Sequence, residues 1–86
     1  MSTWRQLIGD CLKASKESWS DVVSNTLSEK DLDVKFDSGY GGSEGKNFTM
    51  WTAKRVYFPV VYDGAEWVAS VSRDPDGEPT GHVGGE

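Results

Sequence analysis

An 86-residue chain with one cysteine, Cys11, and one histidine, His82, has no intramolecular disulfide and no four-ligand zinc site, so apolar burial must hold it together. Four Trp, three Tyr and three Phe make that feasible within one domain. A net charge of −5 argues against general nucleic-acid binding, which rests on neutralising phosphates.

No apolar run approaches the roughly 20 residues of a membrane span, and the N-terminus lacks a basic-then-apolar leader pattern. No membrane partner is therefore expected, and a reducing cytoplasm is the default compartment. Charge is unevenly spread: residues 17–44 sum to −5, the tail from Asp74 to −4, and the segments 1–16 and 45–73 to +2 each. The acidic middle has two readings, a solvated helix face or a surface for a basic partner.

In chain order, Thr3 and Gln6 form a capping-box pattern. Trp4, Leu7, Ile8, Cys11 and Leu12 follow at helical spacing, predicting an amphipathic helix that ends near Lys16. Trp19, Val22, Val23, Thr26 and Leu27 repeat that spacing and predict a second, shorter helix. Ser28 with Asp31 opens a further helical turn carrying Leu32 and Phe36 on one face. The glycine-rich stretch 38–47 predicts a flexible connection to a sheet.

From Asn47 to Arg73 the chain alternates as a three-stranded meander. A two-residue Asp63-Gly64 turn pairs Tyr62 with Ala65, Val60 with Trp67, Phe58 with Ala69 and Val56 with Val71. A three-residue connection, Ala53-Lys54-Arg55, pairs Met50 with Phe58 and Phe48 with Val60. This register puts Phe48, Met50, Val56, Phe58, Val60, Trp67, Ala69 and Val71 on one core face. Pro59 lies opposite Val68 in a non-hydrogen-bonded pair, and its missing N–H predicts a bulge or an early end to pairing near Thr49. The expected architecture is α+β, with N-terminal helices packed on a three-stranded antiparallel meander. Residues 1–73 form the domain and 74–86 an irregular acidic tail.

No catalytic constellation emerges. GYGGSEGK lacks the P-loop glycine spacing, with Tyr40 where a glycine is needed, and it precedes a strand instead of following one. Asp33, Asp37 and Glu44 take calcium-loop positions, but Lys35 and Ser38 break the pattern. Cys11 belongs to the core stripe of its helix, away in sequence from His82, and reads as a structural thiol. No cofactor or metal is expected, and the chain reads as non-enzymatic.

The same register leaves a second apolar strip, with Trp51 opposite Tyr57, Val61 beside Glu66, and Val68 opposite Pro59. The strip is either covered by the second helical segment or the tail, or open to a partner, with Lys54, Arg55 and Arg73 at its rim. Candidate partner-binding residues are therefore Trp51, Tyr57, Val61, Val68, Lys54 and Arg55, together with the acids Asp31, Asp33 and Asp37. A single-strand nucleic-acid reading, with bases stacked on the sheet aromatics, is the alternative.

The string FTMWTAKRVYFPVVYDGAEWVASV, with GYGG upstream, resembles small acidic proteins of bacteriophages and prophages. That resemblance implies a compact, non-catalytic inhibitor of a host protein or defence complex, of the anti-CRISPR kind, acting as a monomer or homodimer.

Overall fold

The structure, a computed structural model, describes residues 2–36, 45–62, 65–75, 77 and 79–82. Thr3 caps helix α1 (Trp4–Ala14), its hydroxyl accepting from the Gln6 N–H at 3.2 Å. Trp4, Ile8 and Leu12 form the buried stripe of that helix, with Leu7 and Cys11 partly buried beside them. At the C-terminus the Glu17 N–H donates to Leu12 O at 2.8 Å and the Lys16 N–H to Lys13 O at 3.0 Å, a Schellman motif. Its left-handed position is held by Lys16 at φ 61°, where glycine is the residue without a steric penalty.

The predicted second helix is absent. Ser18 caps a single 3-10 turn (Trp19–Asp21), and the chain then extends as strand β1 (Val22–Asn25). Helical spacing of the apolar residues misled here. The β-branched pair Val22-Val23 favours a strand, and Ser24 and Asn25 after it are poor helix interior. Ser28 and Asp31 do form the expected reciprocal cap, on a one-turn helix α2 (Glu29–Leu32). Beyond it Phe36 exchanges two backbone hydrogen bonds with Ser2, at 2.8 and 2.9 Å, tying the N-terminus down.

Strands β2 (Met50–Thr52), β3 (Arg55–Tyr62) and β4 (Ala65–Ser72) complete an antiparallel sheet of order β1-β2-β3-β4, four strands where three were expected. The β3–β4 register agrees with the expectation at every pair named above. The Asp63-Gly64 turn itself lies outside the described residues. Pairing of β2 with β3 stops at Met50 opposite Tyr57, in line with the lost donor of Pro59. Thr49 turns to the other neighbour instead: its N–H donates to Thr26 Oγ1 and its carbonyl accepts from the Thr26 N–H, both at 3.0 Å.

The β2–β3 register departs from the expectation by one residue: Trp51 pairs with Val56 and Met50 with Tyr57. The connection has two residues, Ala53 and Lys54, because the Thr52 hydroxyl accepts from the N–H groups of Arg55 (2.9 Å) and Lys54 (3.3 Å) and folds the loop around itself. A one-residue slip carries every side chain of a strand to the other face. The core face is therefore Phe48, Met50, Tyr57 and Val68, packed against Trp4, Ile8, Leu12, Leu27, Leu32 and Phe36. Trp51 joins Val56, Phe58, Val60, Trp67, Ala69 and Val71 on the opposite face.

Candidate functional site

The outer face of the sheet follows from that register. On β3 and β4, the pairs Val56–Val71, Phe58–Ala69 and Val60–Trp67 project together, and Trp51 lies beside Val56. An antiparallel sheet with one face on a core ordinarily alternates apolar inward and polar outward. Here neither face of β3 obeys that rule over Val56–Val61, and the seven outer positions carry no charge and no polar side chain. None of these seven belongs to the helix-packed core cluster. All except Val60 remain partly exposed. At one end, Lys54 sits in the exposed β2–β3 turn, and Arg73 donates to the Thr52 carbonyl at 2.8 Å.

The residues singled out from the sequence are thus divided between two faces. Trp51 is on the outer face, whereas Tyr57 and Val68 are core residues, 0 and 7 % exposed. Val61 is exposed at the far end of β3, opposite the buried Glu66, whose carboxylate accepts from the Gly45 N–H at 3.1 Å. Lys54 is exposed, and Arg55 is half-buried, its guanidinium donating to the Ser70 hydroxyl (2.8 Å) and carbonyl (3.1 Å). Phe58 and Trp67 are outer-face residues that the sequence pattern assigns to the core. The signal that places them is Thr52, a hydroxyl able to close a two-residue turn.

The acidic segment is internally paired. Arg5 donates to Asp33 at 2.7 and 3.1 Å and to Glu29 at 2.7 Å, and Lys46 meets Asp31 at 3.2 Å. The hydrogen bonds from Arg5 hold the Asp33 carboxyl below its ordinary range and raise the Arg5 guanidinium. Asp31 is also lowered, first by the Ser28 N–H and then by Lys46. Asp37 lies outside the described residues, as does most of the glycine-rich stretch that contains Tyr40 and Glu44.

Beneath the sheet's inner face, the Glu17 carboxylate accepts from the Tyr57 hydroxyl and from Thr52 Oγ1, the latter at 3.1 Å. Burial, reinforced by that carboxylate, pushes the Tyr57 phenol up to about 12. Burial also raises the Cys11 thiol, against the smaller opposing pull of Ser70 and Arg55. A thiol shifted this way is a poorer source of thiolate at neutral pH. Among the described residues no group of three or more His, Cys, Asp or Glu side chains is placed to hold a metal ion. No helix among them is long and apolar enough to cross a membrane. Comparison of the chain with models of protein families, with curated proteins and with solved structures returned no match.

Proposed function

We propose that this chain is a small non-catalytic protein-binding module, of the kind bacteriophages use to inhibit a host protein or defence complex, and that it binds through the outer face of its sheet. One observation carries the reading: Trp51, Phe58 and Trp67 stand on a face with no charged residue and outside the helix-packed core. Contiguous apolar patches of this kind mark interaction sites, and Trp is among the residues most enriched in binding hot spots. The acidic segment is a weaker candidate, because Asp31 and Asp33 already face Lys46 and Arg5. A partner reaching them must first displace those cations.

The test is the double variant Trp51→Ser, Trp67→Ser. On a partner surface the two serines leave the thermal melt close to that of the parent, abolish capture of a defined host protein, and leave the circular dichroism unchanged. A melt that collapses as for two core tryptophans, each worth about 3–5 kcal/mol when buried, sinks the proposal. So does capture of the same proteins by parent and variant.

A second reading rests on the same three rings, since aromatic side chains on an open sheet stack unpaired bases. Lys54 and Arg73 supply positive charge at one end of the face. Quenching of tryptophan fluorescence by an oligonucleotide at low salt, lost in the double variant, supports it; absence of quenching removes it.

A further inference from the structure

The ion pairs of the described residues gather on one side of the molecule, between α1, α2 and Lys46. At the opposite end of α1 the pattern inverts. Lys16, Lys54, Arg55 and Arg73 surround two adjoining clefts of about 460 and 480 Å³, which share Arg55, Ser72 and Asp74 as lining. No carboxylate of the described residues forms an ion pair with any of these four cations. Hydroxyls line the same space: Ser15 and Ser70 lie 3.2 Å apart, and Ser70 orients the Arg55 guanidinium from below. Arg55 has five N–H donors and spends two on Ser70; none of the others is bonded to a described residue.

We propose that this double cleft is a binding site for an oxyanion, the phosphate or carboxylate group of a small ligand. Among the described residues two opposing charges line the clefts. Glu17 turns its carboxylate inward to Tyr57 and Thr52, while Asp74 is exposed at the outer lip. The C-terminal dipole of α1 also opposes an anion, but the carbonyls of Cys11, Leu12 and Lys13 already accept from the capping N–H groups. The conformation of Lys16 is an independent sign. A left-handed C′ position is the natural place for glycine, yet the chain has there a lysine, which lines one of the clefts.

That strain makes the test clean. Lys16→Gly removes one cation and relieves the backbone, so it melts above the parent; loss of binding in this variant has nothing to do with unfolding. Lys54→Ala, in the exposed turn, removes a second cation. Amide chemical shifts of Ser70, Ser72 and Lys54 are followed during titration with inorganic phosphate and, separately, with citrate, each against chloride at equal ionic strength. Saturable shifts with phosphate alone assign a phosphate group, with citrate alone a carboxylate, and with both the general oxyanion class. Either single variant weakens binding roughly threefold, as expected for one partly screened charge. The proposal is overturned if neither anion shifts these amides beyond chloride, or if both variants titrate like the parent. The site adjoins one end of the outer sheet face, through Val71, Lys54 and Arg73, but neither cleft is lined by its tryptophans: Trp51→Ser, Trp67→Ser leaves the titration unchanged, so the two readings fail separately.

Discussion

Gly45→Ala is the sharpest test of how the helical half closes onto the sheet. A Cβ at Gly45 would lie 2.5 Å from Trp4 Cζ2, 2.8 Å from Cε2 and 3.0 Å from Phe36 Cζ. The Trp4 ring cannot swing aside. It is 1 % exposed, its Nε1–H donates to the Lys46 carbonyl at 2.9 Å, and Phe36 and Phe48 each pack on it with centroids 4.8 Å away. Overpacking of this sort costs about 1–3 kcal/mol, and a strained or broken Trp4–Lys46 bond adds about 1 kcal/mol. The backbone at Gly45 is outside the left-handed region, so alanine also restricts the unfolded chain and returns about 0.4–1 kcal/mol. The net is a destabilisation of about 2 kcal/mol, which for a domain this size lowers the midpoint of a thermal melt by about 8–16 °C. Trp4→Phe removes the two closest ring atoms, so the double variant Gly45→Ala, Trp4→Phe should be more stable than the sum of its parts by at least about 1 kcal/mol. A Gly45→Ala protein melting within a degree or two of the parent, or strict additivity in the double variant, refutes the close approach.

Tyr57 titrates late: its phenolate absorbance should develop near pH 12, while a tyrosine of the unfolded chain titrates near about 10. Because the folded value is the higher, the stabilisation tied to the protonated phenol is complete below about pH 10 and is lost as pH rises through about 12. Tyr57→Phe abolishes that late phase and, by leaving the Glu17 carboxylate with Thr52 alone, costs about 1–3 kcal/mol in a urea melt. At the other end of the scale, Asp31 and Asp33 are held below the ordinary carboxylate value of about 4, so their contribution is present above it and disappears as pH falls further. Arg5→Ala should remove the Asp33 share of that acid dependence, read as a shallower loss of stability on acidification; an unchanged profile contradicts the pairing.

Helix α1, the α2 cap and the whole β3–β4 ladder were legible because each rests on local chemistry: a capping threonine or serine, a helical apolar period, a two-residue turn of the Asp-Gly type. The β2–β3 register was not. Ala53-Lys54 is no recognised tight-turn pair, and β3 is apolar at both odd and even positions over Val56–Val61, so alternation could not choose between the two faces. Two contacts act together: the Thr52 hydroxyl closes the turn, and Tyr57 carries a hydroxyl that reaches Glu17, a partner 40 residues away, a bond no local rule anticipates. The candidate surface inherited the same slip. The sequence puts Trp51 on the second strip, either covered or open, but with Tyr57 and Val68 as companions in place of Phe58 and Trp67. Strand β1 was obscured because its apolar residues happen to fall at helical intervals, while its pairing depends on a distant β2.

The contacts that close the core have a consequence for the order of assembly. The β3–β4 pairing needs only a short turn, whereas Trp4 to Lys46 and Tyr57 to Glu17 close chain loops of 42 and 40 residues. Loop-closure entropy therefore places docking of α1 after formation of the hairpin. Until that step the hairpin is apolar on both sides, with Tyr57, Pro59 and Val68 on one and Phe58, Val60 and Trp67 on the other. A newly made chain is thus most vulnerable to self-association in the interval before its first helix returns to the sheet, and dilution during refolding should raise the yield of native protein.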